Sequence, residues 1–207
     1  MSRKAKHSGN SPSGRPRAEN QLKQILLFLR NFIKNPAMVG WLVPSSRFLV
    51  GDIVKQVDWD RAKVIVEYGA GTGTFTKAIL QRMRPDARLI ALEINPEFYR
   101  FLTSSLKDPR LHLSQESAAD IDSVLADLGC SAADCVVSGI PFKSLPHGLR
   151  DLIVRKTHAV LRPQGKFLIY QVSTAVVPYL ESVFGHVSHD FQLLNLSPAR
   201  LFYCARA

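Results

Sequence analysis

Val64-Ile65-Val66-Glu67-Tyr68-Gly69-Ala70-Gly71-Thr72-Gly73 is an apolar run that ends in an acid and opens into three glycines at alternate positions. The run is short and is bounded by a turn signal, so it reads as a buried strand, and a helical stretch begins at Phe75. Glycines at such a corner let the backbone turn sharply and approach a ligand with no Cβ in the way. Strand, glycine turn and helix in this order open many parallel sheets that bind nucleotide-like ligands, but plain turns share the pattern. The residues on either side carry the decision.

A dinucleotide fingerprint wants a third glycine at the position of Thr74 and has no acid at the position of Glu67. Twenty residues after Gly73, the apolar run Leu89-Ile90-Ala91-Leu92 ends in a second acid, Glu93. An acid at the tip of the second strand is placed to accept hydrogen bonds from both hydroxyls of a ribose. The stretch from Glu67 to Thr76 resembles the first motif, E-x-G-x-G-x-G, of S-adenosylmethionine-dependent methyltransferases. A carboxylate beside a ligand that carries a sulfonium and an ammonium makes electrostatic sense.

Outward from this turn the chain alternates. Strand candidates lie at 64–68, 88–93, 111–115, 134–139, 166–172, 191–196 and 200–205, with helical stretches at 75–83, 97–106, 121–128 and 149–161 between the first five. Alternation of this kind makes a parallel sheet with right-handed crossovers. Only Ser197, Pro198 and Ala199 join the last two strand candidates, too few for a crossover, so an antiparallel hairpin is expected there. The expected fold is α/β and Rossmann-like: a seven-stranded, mostly parallel sheet with a C-terminal antiparallel hairpin, which resembles class I methyltransferases.

Upstream, residues 39–57 read as a loop through Pro44-Ser45-Ser46 and then a helix with a serine cap. Residues 18–35 carry Leu22, Ile25, Leu26, Leu29, Phe32 and Ile33 at helical spacing, with Leu27 and Phe28 widening the stripe and Pro36 ending it. Two roles fit this amphipathic helix: packing on the sheet, or lying in a membrane surface. Residues 1–17, basic and rich in Ser, Gly and Pro, read as a disordered arm. The organisation is therefore arm 1–17, helix 18–35 and methyltransferase domain 36–207.

Lys and Arg number 27 against 17 acidic residues, a formal charge of +10. The expected partner is anionic, either a membrane surface or nucleic acid. Three cysteines fit neither a zinc spacing nor a disulfide set, and the six histidines are scattered, so no metal is expected. Lacking a signal-like N-terminus and any long apolar span, the chain reads as cytoplasmic.

The third strand runs into Gln115-Glu116-Ser117-Ala118-Ala119-Asp120, where the resemblance to these methyltransferases implies the adenine edge. Ser117 and the Ala118 amide stand where they often carry an Asp and its following amide, and Asp120 equally fits a cap of the helix at Ile121. Strand four ends in Ser138-Gly139-Ile140-Pro141-Phe142, where enzymes that methylate base amino groups carry Asn or Asp, then x-Pro and an aromatic. Here Gly139 replaces the side chain that would hold a planar amino group, so an alkyl amine becomes the more attractive acceptor. No His–Asp or Cys–His pair announces a general base. Tyr68, Tyr170, Gln171, His147 and Tyr203 lie near strand ends; Tyr68 and the carbonyls of residues 138–141 are the candidates for holding the amine.

Together with the glycine loop, Val43-Pro44-Ser45-Ser46-Arg47, Ser138-Gly139-Ile140-Pro141-Phe142, Leu161-Arg162-Pro163-Gln164-Gly165 and Asn195-Leu196-Ser197-Pro198-Ala199-Arg200 resemble the bacterial phospholipid N-methyltransferase family. That family is itself similar to ribosomal RNA adenine dimethyltransferases. The resemblance implies methylation of the amine of phosphatidylethanolamine and its methylated derivatives, with S-adenosylmethionine converted to S-adenosylhomocysteine. It also implies peripheral association with the inner face of the cytoplasmic membrane. Ser45, Glu67, Gly69, Gly71, Gly73, Glu93, Ile94, Ser117 and Ala118 are the expected cofactor contacts; Tyr68, Ser138, Gly139 and Pro141 are expected at the acceptor. Alternatives are an adenine N6-methyltransferase of ribosomal RNA, an N- or O-methyltransferase of a soluble metabolite, and a noncatalytic binding module.

Overall fold

The computed structural model describes residues 45–195 and 198–207. The arm at 1–17 and the amphipathic helix at 18–35 lie outside the described residues.

The elements follow in the order α1 (Arg47–Val54), β1 (Val64–Tyr68), α2 (Thr74–Leu80), β2 (Arg88–Leu92), α3 (Pro96–Ser105), β3 (Leu111–Ser114), α4 (Ile121–Asp127), β4 (Ala133–Ser138), α5 (His147–Val160), β5 (Leu161–Gln171), α6 (Val177–Phe184), β6 (Ser188–Gln192) and β7 (Ala199–Ala205). They build one seven-stranded sheet in the order β3-β2-β1-β4-β5-β7-β6. Strands β1 to β5 pair in parallel, and β7 runs antiparallel to both β5 and β6. The α/β class, the seven strands and the closing antiparallel pair are those expected.

The strands alternate between two apolar faces. Val66, Tyr68, Ile90, Val136, Phe167 and Ile169 pack under α4, α5 and α6. Ile65, Leu89, Cys135, Val137 and Leu168 pack under α1 and α2. Burial on both faces is why the central strands read as nearly continuous hydrophobic runs. Helix ends are fixed locally: Ser46 Oγ accepts the Leu49 amide at 3.2 Å, and Asn95 Oδ1 accepts the amides of Glu97 and Phe98 ahead of Pro96. Arg110 donates to the carbonyls of Leu80 and Met83, satisfying groups at and just beyond the C-terminus of α2.

Three differences from the sequence reading have physical causes. The first hairpin strand lies at Ser188–Gln192 rather than 191–196, so the connection to β7 is longer than three residues. This is an exposed edge strand, Ser-His-Asp-Phe-Gln, with little apolar signal, and Leu193 and Leu194 beyond it pulled the expectation forward. Helix α6, a crossover from β5 to β6, was not read. Continuous β4–β5 pairing starts at Lys166 as expected, but β5 also reaches back to Leu161 through an irregular register.

That irregularity contains Gln164, whose φ of 63° makes it the positive-φ non-glycine residue among the described residues. An L side chain in this region is disfavoured by roughly 1–2 kcal/mol, while glycine carries a larger unfolded-state entropy of roughly 0.5–1 kcal/mol. Gln164→Gly is expected to stabilise the protein by roughly 0.5–1 kcal/mol, read as a higher denaturant midpoint at unchanged slope, and Gln164→Val to destabilise it.

Candidate active site

The carboxyl ends of β1, β2 and β4 meet at the glycine turn. The Gly69 amide donates to the Leu92 carbonyl at 2.8 Å, and the Gly139 amide to the Tyr68 carbonyl at 3.0 Å, so the turn is held from both sides. At Gly71 the backbone has φ +54°, and no atom of the other described residues beyond its chain neighbours lies within 4 Å of where a Cβ would stand. The chain there is bent in a way that favours glycine and faces open space.

Glu93 sits at the tip of β2, buried, with Oε2 accepting the Gly71 amide and Oε1 accepting the Asn95 amide, each at 2.8 Å. Each oxygen keeps a second lone pair, which is what a pair of ribose hydroxyls requires. Burial raises the Glu93 pKa against the effect of these two amides. Ile94 follows Glu93 directly, half-buried at the same corner. Ser117 caps a short turn, its Oγ accepting the Ala119 amide at 3.1 Å, and Ala118 is buried behind it.

Glu67 is 1% exposed on the α2 face of the sheet. Its Oε2 accepts the Thr76 hydroxyl at 2.7 Å, and Oε1 has no partner among the described residues. Burial first, and then the Glu93 charge, lift its pKa from an ordinary 4.5 to about 7. Two carboxylates in one dry corner with no cation among the described residues opposite them are suited to a ligand bearing positive charge. The donor set, the open glycine turn and the unpaired oxygen fit S-adenosylmethionine.

The acceptor-side expectations separate. Ser138, Gly139 and Pro141 lie at the end of β4 beside the glycine turn: Ile140 Cγ2 would stand 3.0 Å from a Cβ on Gly69, and Ser138 Oγ is buried without a partner among the described residues. Tyr68 is different. Its side chain points to the opposite face, fully buried, with the hydroxyl 3.1 Å from Thr157 Oγ1. Since Thr157 donates its own proton to the Ile153 carbonyl, Tyr68 is the donor of that bond. The Tyr68 hydroxyl is thus a core group on α5, and only the Tyr68 carbonyl reaches the turn, through Gly139. Sheet alternation explains it, because neighbours in a strand face opposite ways and Glu67 takes the α2 side.

Ser45 directly precedes Ser46, whose amide donates to Asn195 Oδ1 at 2.8 Å, so this pair sits beside the end of the sheet where β6 finishes. Sequence reasoning did not single out Thr76, which holds Glu67, or Phe75, which stacks on Tyr170. Their signal was position, in the first turn of the helix that follows the glycines.

Glu67 contributes stability that is present in full below about pH 4.5 and is lost as pH rises through about 7, because its folded-state pKa is the higher one. The ligand-free protein is expected to lose stability between these values by an amount on the order of 3 kcal/mol, and Glu67→Gln, which keeps the Thr76 bond, to flatten that part of the profile. Urea denaturation at a series of pH values checks this.

Comparison with known proteins agrees with this geometry. Residues 65–165 match the methyltransferase domain family. The chain is 35% identical over 185 residues to the ornithine lipid N-methyltransferase of Singulisphaera acidiphila, covering 88% of this chain and 96% of that one. Among solved structures, precorrin-6y C5,15-methyltransferase from Geobacter metallireducens GS-15 is similar with a TM-score of 0.64 at 20% identity, over 78% of this chain and 89% of the other. N-methyltransferase NodS from Bradyrhizobium japonicum WM9, in complex with S-adenosyl-L-homocysteine, is similar with a TM-score of 0.61 at 11% identity, over 77% and 86%. A class I fold, a glycine turn between two acids and a near full-length likeness to a lipid-modifying enzyme converge: the chain belongs to the S-adenosylmethionine-dependent methyltransferases, in the bacterial family of lipid N-methyltransferases.

Proposed function

We propose that the protein methylates the amine of a membrane aminolipid, phosphatidylethanolamine and its methylated derivatives, at an anionic membrane surface. The observation that carries the lipid reading is the likeness to a lipid N-methyltransferase along 96% of that enzyme. Because that relative is described by ornithine lipid, this lipid is the second acceptor to test. Ribosomal RNA is less favoured: the chain is 32% identical over 99 residues to ribosomal RNA small subunit methyltransferase H of Methylorubrum populi, but covers only 28% of it.

The shape of the rim supports a membrane surface. Of the six large apolar side chains that are exposed among the described residues, five, Phe48, Val172, Phe191, Leu193 and Leu194, lie at the carboxyl ends of β5 and β6 or at the start of α1, which the Ser46–Asn195 bond ties to the same edge; the sixth, Phe101, lies on α3. Leu193 and Leu194 are 67% and 62% exposed. Arg47 lies over the Phe48 ring and Arg200 over the Phe191 ring, so the apolar groups carry cations beside them. Apolar side chains for the acyl boundary and arginines for lipid phosphates, on the edge where the site opens, make a peripheral contact. No helix among the described residues is long and apolar enough to cross a membrane.

S-adenosylmethionine, when bound, supplies an electrophilic methyl group on a sulfonium. In this reading Glu93 takes the ribose, Ile94, Ser117 and the Ala118 amide take the adenine, and Glu67 takes the ammonium, with Gly69, Gly71 and Gly73 letting the backbone approach. At pH 7 about a thousandth of a free alkylamine is neutral, so the chain must bind the amine with its lone pair uncovered. Ser138, Gly139 and Pro141 line that approach, and burial disfavours the ammonium form.

Radiolabelled methyl groups are expected to enter phosphatidylethanolamine in vesicles that contain anionic lipid and to stay out of ribosomal RNA; label in RNA alone would sink the proposal. Glu93→Ala is expected to abolish cofactor binding measured by calorimetry. Replacing Leu193 and Leu194 together by Asp is expected to lower vesicle binding at least about tenfold in a flotation assay, given roughly 1.5–3 kcal/mol for burying each side chain, while leaving cofactor affinity unchanged.

A further inference from the structure

Gly139 stands where base-methylating enzymes carry the side chain that grips the amino group, and the structure shows what fills the space. Ser138 pairs with Ile169, so the next row sets Gly139 beside Tyr170 of β5. A Cβ on Gly139 would stand 2.2 Å from the Tyr170 hydroxyl and 2.6 Å from its ring carbon Cζ, far inside contact distance. A side chain at 139 and the Tyr170 ring in this position exclude each other.

Tyr170 is held there by more than the gap. Its ring stacks on Phe75 with centroids 4.2 Å apart and planes 19° from parallel. It leaves the sheet on the Glu67 side, two residues on from Leu168 in the Glu67–Val137–Leu168 row. Both Glu67 and Glu93 raise its pKa, with burial the larger cause, so the phenol keeps its proton throughout the working pH range. No side chain among the described residues is hydrogen-bonded to the hydroxyl.

Resting on the reading of the acceptor as a lipid amine, we propose that the Tyr170 hydroxyl, seated over Gly139, anchors the acceptor nitrogen and takes the place of the missing side chain. Its oxygen accepts an N–H from the neutral amine, leaving the lone pair free. In the transfer, that lone pair forms the N–C bond, the C–S pair departs with sulfur as the neutral thioether, and the new ammonium loses a proton to water before the next round. A neutral primary amine has two N–H groups, the monomethylated amine one, and the dimethylated amine none. The anchor therefore serves the first two transfers and has nothing to hold in the third. Gly139 in turn sets acceptor class: any side chain there expels the anchor.

The test uses the full chain with Tyr170→Phe, which keeps the Phe75 stack, and lipid vesicles carrying the primary, monomethylated or dimethylated amine. The first two transfers are expected to slow about tenfold, the worth of one hydrogen bond, and the third to stay within about twofold. Equilibrium binding of the primary-amine lipid in the presence of S-adenosylhomocysteine is expected to weaken about tenfold, that of the dimethylated lipid to hold, and cofactor affinity and melting temperature to hold. Gly139→Ala is expected to reproduce the pattern. Equal slowing of all three rounds, or no slowing, overturns the anchor. Wild-type protein that labels no lipid amine overturns it together with the acceptor reading, and the wild-type measurement alone tells that case apart.

Discussion

The Glu93 carboxylate bridges the Gly71 amide and the Asn95 amide, and this one clamp joins the turn after β1 to the turn after β2. A buried carboxylate must be satisfied or neutralised, and the two backbone amides offset part of the cost of burying Glu93 while fixing both turns. With Gly71 and Asn95 fixed, α2 and α3 start where they do, because Gly73 and Asn95 are the positions from which those helices leave. The corner then has its acids in place before any ligand arrives, which is the preorganisation that a cationic cofactor rewards.

Charge at this corner is unbalanced by design of the fold rather than by accident of one residue. Glu67 and Glu93 stand at the ends of neighbouring parallel strands, Tyr68 lying opposite Leu92 in register, and α2 supplies Thr76 as hydrogen-bond donor while no cation among the described residues pairs with either acid. The cost falls on the ligand-free protein, through an elevated Glu67 pKa, and is relieved when positive charge enters. Among the described residues, Arg47 and Arg200 do not offset it, because they sit on the apolar rim, each over an aromatic ring. Cations are thus kept for the outside and anions for the inside of the same edge.

Much of this was legible in the sequence. Apolar runs and glycine corners located β1 to β5, because strands buried on both faces leave little freedom in residue choice, and the two acids followed from their place at strand tips. What escaped was set by tertiary contact. The edge strand β6 has to face solvent and carries polar residues, so its pattern resembles a loop. Helix α6 follows Pro178 in its first turn, a usable start signal that a short and moderately apolar segment hid. Tyr68 drew attention because it stands beside Glu67, yet strand alternation sends the two side chains to opposite faces. Tyr170 shares the Glu67 face only through a register that passes across β4, which no reading of one strand discloses.

Helix α1 is fastened at both ends of its span. Near its start the Ser46 amide holds Asn195 on the edge where the strands finish, and beyond its last turn the Gln56 carbonyl receives Lys166 Nζ near the opposite edge. Midway, Asp52 accepts Gln192 at the end of β6. A strut pinned in this way lends stiffness to the outermost strands, which hydrogen bonds along a single antiparallel edge would leave prone to bending. In the proposed membrane contact, a load taken up at Leu193 and Leu194 would pass along this strut toward Lys166 at the far end of β5 rather than into the corner that holds Glu67, Glu93 and Gly139.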